Sequence, residues 1–221
     1  MSTTDAPTLS DALAAQRQQA QAQIPDEALD VMQQVTADLE ASGQAKQTLQ
    51  PGDAAPSFAL PNATGETVRL DDALAEGPVV LSFYRGGWCP YCSLELRALQ
   101  EHLEDIHALG AQLIAISPQT PDASLDTAEK QHLDFEVLSD EGNAVTHRYG
   151  LVFQVPDALK ALYEQFGIDL PAANGDDSWT LPIPATFVLD PAGTVCYAFA
   201  EADYTQRAEP AAILEALRDL R

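Results

Sequence analysis

The stretch that most limits what this chain can become is Val79-Val80-Leu81-Ser82-Phe83-Tyr84-Arg85-Gly86-Gly87-Trp88-Cys89-Pro90-Tyr91-Cys92, followed at once by Ser93-Leu94-Glu95-Leu96-Arg97-Ala98-Leu99. An unbroken apolar, β-branched run reads as a buried strand, and the Leu/Glu/Arg/Ala run reads as a helix, so both cysteines fall at a strand-to-helix turn. The first N–H groups of a helix are unpaired and carry the positive end of its dipole. A thiolate placed there is stabilised over the thiol, and the thiolate is the reactive form. Two cysteines separated by two residues can also close a tight disulfide and reopen it, which makes a redox couple.

Two plainer readings compete. Zinc takes four ligands, yet the chain has neither a second Cys-x-x-Cys nor a spaced histidine pair; His102 and His107, five apart, fall on different faces of a helix. No metal and no cofactor is therefore expected. A purely structural disulfide is the other reading, but short Cys-x-x-Cys loops in intracellular chains are more often catalytic. The third cysteine, Cys196, lies in an apolar strand-like run and reads as an inert thiol.

With 221 residues the chain can form one full domain plus an appendage, or two small domains. No run of 18 apolar residues occurs, and the start, Met1-Ser2-Thr3-Thr4-Asp5, has neither a basic nor an apolar export region, so a cytoplasmic protein without a membrane partner is expected. The formal charge of −23 would repel nucleic acid and anionic membrane alike. It favours solubility and, through self-repulsion, a high-salt cytoplasm.

In order, residues 1–48 are Ala/Gln-rich and carry two helical patterns. Leu9 and Leu13 make a weak amphipathic helix expected to be loosely held; Leu29, Met32, Val35 and Leu39 make a second, expected to dock on the body or, in a homodimer, on a partner subunit. From residue 49 the composition changes to a body of residues 49–221. It opens on a hairpin, continues through the redox strand and a helix from Cys89 to about Leu109, and then a second apolar strand, Leu113–Ser117. A helix to about His132 and a third strand, Phe135–Asp140, imply parallel strands joined by crossovers. A strand at Leu151–Val155, a helix to Phe166, a loop over 169–178, an antiparallel pair around Asp190–Gly193 and a final helix from Pro210 complete the pattern.

These residues resemble a known superfamily. Cys89-Pro90-Tyr91-Cys92 after a strand, with Ile183-Pro184-Ala185-Thr186-Phe187-Val188-Leu189-Asp190 downstream, looks like a thioredoxin fold, an α/β structure with a central mixed sheet flanked by helices and here an N-terminal helical extension. Gly52-Asp53-Ala54-Ala55-Pro56-Ser57-Phe58-Ala59-Leu60, Phe83-Tyr84-Arg85 and Leu138-Ser139-Asp140 resemble the peroxiredoxins of the alkyl hydroperoxide reductase and thiol-specific antioxidant type. The resemblance covers about residues 49–221, and the N-terminal helices resemble those of a peroxiredoxin-like subfamily. It implies a peroxidase that reduces hydrogen peroxide or alkyl hydroperoxides through Cys89 and Cys92, re-reduced by a thioredoxin- or glutaredoxin-type donor.

The resemblance leaves the roles of the sulfurs open. Typical peroxiredoxins carry a proline, a threonine four residues later and the peroxidatic cysteine three residues after that; here those places hold Arg85, Cys89 and Cys92. That alignment makes Cys92 the attacking thiol, whereas the thioredoxin pattern makes it Cys89. The arginine that family carries near Ile183-Pro184-Ala185-Thr186 is missing, and Arg85 is the candidate to supply its charge. Trp88 and Tyr91 would wall the site. Pro184, in the cis form the resemblance implies, would present the backbone of Ile183 to an extended partner. The alternative is a thiol:disulfide oxidoreductase with little peroxidase activity, favoured by the intact Cys-x-x-Cys and the missing threonine. A third is a redox sensor whose disulfide gates the N-terminal helices.

Overall fold

The computed structural model describes residues 8–220. Two helices lead, α1 (Leu9–Gln23) and α2 (Asp26–Ser42), followed by a hairpin of β1 (Ala59–Pro61) and β2 (Thr67–Arg69) and by α3 (Leu70–Glu76). β3 (Val79–Phe83) delivers the chain to α4 (Pro90–Glu101), α5 (Leu103–Ala108) and β4 (Gln112–Ser117). Next come α6 (Pro121–Gln131), β5 (Glu136–Ser139), α7 (Ala144–Arg148), β6 (Val152–Gln154), α8 (Asp157–Gln165) and α9 (Leu170–Asn174). β7 (Thr180–Pro182), β8 (Ala185–Leu189), β9 (Val195–Ala200) and α10 (Pro210–Arg218) finish the chain.

The main sheet has five strands in the order β5-β4-β3-β8-β9, with β3 in the middle. β3 pairs parallel to β4 and antiparallel to β8, and β4 pairs parallel to β5, so the sheet is mixed. A strand buried on both faces can be apolar throughout. Val79, Leu81 and Phe83 face one layer, with Phe187 and Tyr149; Val80 faces the other, with Val188, Leu99 and Ile213. The period-2 alternation thus feeds two cores from one strand and fixes the direction in which β3 ends.

Several expectations are corrected. The helix expected from Cys89 to Leu109 breaks at His102, whose backbone (φ −104, ψ 8) leaves the helical region. Within the expected 169–178 loop lies α9, started by Asp169, whose side chain accepts from Ala172 N at 3.0 Å, with a proline in its first turn. The Leu151–Val155 strand forms outside the main sheet, paired antiparallel with β7. Among the described residues no helix is long and apolar enough to cross a membrane.

The largest correction concerns α1. Leu9 and Leu13 are buried, at 5% and 3% exposure, in the cluster that holds Tyr91, Cys89, Cys92 and Ala98. A capping box ties Thr8 to Asp11, and Ser10 N donates to Glu209 Oε1 at 2.6 Å. Two leucines one turn apart suffice because they enter one hollow beside the redox helix; each buried leucine contributes on the order of 2 kcal/mol. By contrast α2 buries no residue completely and rests Ala28, Val31, Met32 and Val35 on the α8 cluster.

Candidate active site

β3 ends at Phe83, and the chain turns through Tyr84, Arg85, Gly86 and Gly87 before α4. The turn is tight at both glycines. Gly86 has φ +147, and a Cβ there would lie 2.4 Å from Trp88 Nε1; at Gly87 it would lie 2.3 Å from Thr127 Oγ1. Gly87 N donates to Gln119 Oε1 at 2.8 Å, which pins the turn to the loop after β4. Cys89 is then the N-cap of α4 in extended conformation (φ −89, ψ 116), and Pro90 occupies the first turn, where its missing N–H costs nothing.

Both thiols are inside, Cys89 at 2% and Cys92 at 0% exposure, and they differ in surroundings. The Cys92 thiol donates to the Cys89 sulfur and pulls it well below the usual thiol range; against the burial that opposes this, the Arg85 and Arg207 guanidiniums and the Cys92 backbone N–H pull the same way. Burial, and then the neighbouring Cys89 sulfur, push Cys92 well above that range. One sulfur is poised as thiolate and its neighbour is held as the proton-bearing partner. Alkylation of Cys89 by iodoacetamide should therefore stay fast well below pH 8, the thiolate being lost only as pH falls through its depressed pKa. A free thiol instead slows about tenfold per pH unit below about 8.5. A rate for Cys89 that tracks free cysteine would remove the activated thiolate.

Arg85 is 4% exposed and sits in an aromatic cage, its guanidinium carbon 4.7 Å from the Tyr204 ring centre, 5.1 Å from Trp88 and 5.8 Å from Tyr163. It donates to the Tyr163 hydroxyl, and its Nε meets no acceptor among the described residues. Cation–π contacts hold a desolvated charge without neutralising it, so the field of Arg85 remains available to Cys89. Trp88 and Tyr91 both line the cavity that reaches Cys89, and both also pack, Trp88 edge-on to Tyr163 at 5.4 Å and Tyr91 edge-on to Tyr204 at 5.5 Å.

Sequence reasoning missed Arg207. Its Nη2 lies 3.3 Å from Cys92 Sγ, its Nε donates to Glu95 Oε2 at 2.6 Å, and both partners of that ion pair are 1% exposed. Burial pushes the Glu95 carboxyl up to about 7, against the pull of the Arg207 guanidinium. At 2.6 Å, with both side chains desolvated, the two stand as an ion pair. The signal available was slight: a lone arginine just before α10, in a chain with 11 basic residues against 34 acidic ones.

The expectation for Ile183 and Pro184 is corrected. No cis peptide bond occurs among the described residues, so Pro184 is trans. Trans is the form that the large majority of X-Pro bonds take in folded proteins. Ile183 is 1% exposed and its N–H is spent on Leu151 O at 2.8 Å, so it offers no edge to a partner. Both residues instead line a small inner chamber with Arg85 and Tyr204.

A dithiol at the N-terminus of a helix that leaves the central strand of a mixed sheet, with its sulfurs under buried arginines, defines a thioredoxin-fold protein built around a redox pair. More narrowly, the chain belongs to the AhpC/TSA family, whose model matches residues 51–198. It is 33% identical to Peroxiredoxin Bcp of Escherichia coli (strain K12) over 103 residues, covering 47% of this chain and 65% of that protein. To the chloroplastic Peroxiredoxin Q of Triticum aestivum it is 34% identical over 148 residues, 67% of this chain and 58% of that one. These matches span less than two thirds of the relatives' own length. Among solved structures, Peroxidoxin BcpB from Mycobacterium tuberculosis superposes with a TM-score of 0.62 at 24% identity, over 78% of this chain and 99% of that one. The peroxiredoxin-like protein from Aquifex aeolicus gives 0.62 at 17%, over 79% and 89%. Those likenesses concern the fold.

Proposed function

We propose that the protein is a cytoplasmic thiol peroxidase in which Cys89 attacks and Cys92 resolves. The observation that carries this is the position of Cys89: N-cap of α4, on the cavity wall, beside Arg85, with its sulfur accepting from Cys92. The Cys89 thiolate attacks the terminal oxygen of the hydroperoxide, the O–O bond breaks, and the alkoxide leaves and takes a proton from water. Cys89 is now a sulfenic acid. Charge builds on the leaving oxygen, where Arg85 and the first N–H groups of α4 oppose it. Cys92 then displaces water from the sulfenic acid to give the Cys89–Cys92 disulfide, and two external thiols of a thioredoxin- or glutaredoxin-type donor return both sulfurs to the reduced state. Family membership and relatives named as peroxiredoxins support this chemistry.

One equivalent of hydroperoxide added to the reduced protein should shift its mass by about −2 Da, the loss of two hydrogens, and peptide mapping should place the link between Cys89 and Cys92. An unchanged mass, with the protein still reducing a test disulfide, would favour the thiol:disulfide oxidoreductase instead. The 3.3 Å contact of Arg207 with Cys92 favours a second assignment within the peroxidase, in which Cys92 attacks and Cys89 resolves.

A further inference from the structure

The cavity in front of Cys89 is much larger than hydrogen peroxide needs. Its volume is about 470 Å³, whereas a water occupies roughly 30 Å³ of the liquid and hydrogen peroxide only slightly more. Its lining is mixed: Gln16, Arg17, Gln33, Glu40 and Asp203 face it, and beside them runs an apolar wall of the kind that holds an organic molecule. Cys89 and Arg85 are its reacting end; the apolar part of its lining comprises Ile24, Leu29 and Met32 from the N-terminal extension and Phe166 and Ile168 from the body. Phe166, 42% exposed, is one of the few large apolar side chains left in water. Ile24, Leu29 and Met32 precede the family match, which begins at residue 51. The body thus supplies the reacting end of the cavity, while the extension supplies much of the wall around what the reacting end is attached to. Because α2 buries none of its residues completely, its apolar side chains keep surface that faces this space.

We propose that Ile24, Leu29 and Met32 form the substrate-selecting wall of the peroxidase site, and that they select an organic hydroperoxide with a bulky apolar substituent over hydrogen peroxide. The inference rests on the peroxidase reading and adds the residues that choose among hydroperoxides. With the terminal oxygen in line with Cys89, the substituent lies against Leu29 and Met32, and the alcohol leaves by the path the hydroperoxide entered. The apolar group contributes binding that hydrogen peroxide cannot obtain.

The test measures rate constants for Cys89 oxidation by cumene hydroperoxide and by hydrogen peroxide, and compares their ratio between proteins. Wild type should favour cumene hydroperoxide by about tenfold or more, and Met32→Trp, which fills the cavity, should cut that ratio about tenfold, the scale on which pockets discriminate by shape. Leu29→Trp provides the same reading from an independent position should Met32→Trp misfold. A wild-type preference for hydrogen peroxide, or a ratio unmoved by both tryptophans, overturns the proposal. Calorimetric titration of the reduced protein with 2-phenyl-2-propanol, the alcohol product, separates the pocket from the chemistry. Binding to wild type that is lost in Met32→Trp upholds the pocket even where no peroxide reacts; equal binding to both, or none to wild type, sinks it.

Discussion

Cys89→Ser is expected to abolish hydroperoxide turnover, by at least about a thousandfold, while Cys92→Ser still reacts once per chain and stops at a sulfenic acid that dimedone traps on Cys89. The serine hydroxyl at 89 stays protonated at any workable pH and is a poor nucleophile toward an O–O bond, so neither the helix terminus nor Arg85 can rescue it. At 92 the expected outcome has a finer structure. The thiol donor from Cys92 is the largest influence lowering Cys89, and a serine hydroxyl replaces it with different reach. The single oxidation in Cys92→Ser should therefore shift its pH profile upward, with the rate at neutral pH falling less than at pH 6. Stopped-flow oxidation across pH 5–9, with mass spectrometry of the dimedone adduct, reads both effects. The opposite pattern, with oxidation lost in Cys92→Ser and an adduct on Cys92 in Cys89→Ser, would make Cys92 the attacking sulfur and Arg207 its activating cation.

Arg207→Met should cost about 3–5 kcal/mol of stability, because removing one partner of a buried pair strands the other charge. Glu95 is 1% exposed; without the guanidinium it keeps, among the described residues, the Thr186 hydroxyl at 3.4 Å. Its carboxyl already stands above its ordinary value of 4.5, at about 7. An acid whose folded pKa is raised holds more protons folded than unfolded, so its contribution to stability is present below the unfolded pKa and lost as pH rises through the folded one. In Arg207→Met the folded value rises further, so the deficit should be nearly constant below about pH 6, where Glu95 is protonated in both folded proteins, and grow as pH rises through about 7 and beyond. Urea melts at pH 5 and pH 8 check this. Arg207→Met with Glu95→Leu, which replaces the pair by apolar groups, should recover most of the loss. Failure of the double variant to recover, or an equal deficit at both pH values, would mean that Arg207 stabilises through its bonds to the Tyr204 and Gln206 carbonyls instead.

The parts of the fold legible in the sequence are those whose signal is local. β3, β4 and β8 announce themselves because a strand covered on both faces can be apolar at every position, and the redox turn because two glycines, a tryptophan and the dithiol leave few alternatives. What stayed hidden depends on distant partners. α1 looked loose because only Leu9 and Leu13 are apolar along its start, and nothing local says that α4 offers them a hollow. Arg207 sits in an irregular segment without periodicity, and its two side-chain partners, Glu95 and Cys92, lie on α4, 112 and 115 residues away. Arg85 was legible as a charge at the turn; its aromatic cage was not, since Tyr163 and Tyr204 arrive from separate elements. The site arginine absent from the Ile183–Thr186 segment is thus answered by two, one facing each sulfur's surroundings.

The packing of α1 over the dithiol sets the two halves of a redox cycle against each other. A hydroperoxide is small enough to diffuse down the cavity with every helix in place. A protein that returns electrons must bring its own sulfur into line with the bond it breaks, and Cys89 and Cys92 are 2% and 0% exposed, in the cluster that also holds Leu9 and Leu13. In the proposed cycle a protein donor would therefore need this cluster to loosen before the disulfide is reduced, so the packing of Leu9 and Leu13 would bear on recovery as well as on stability.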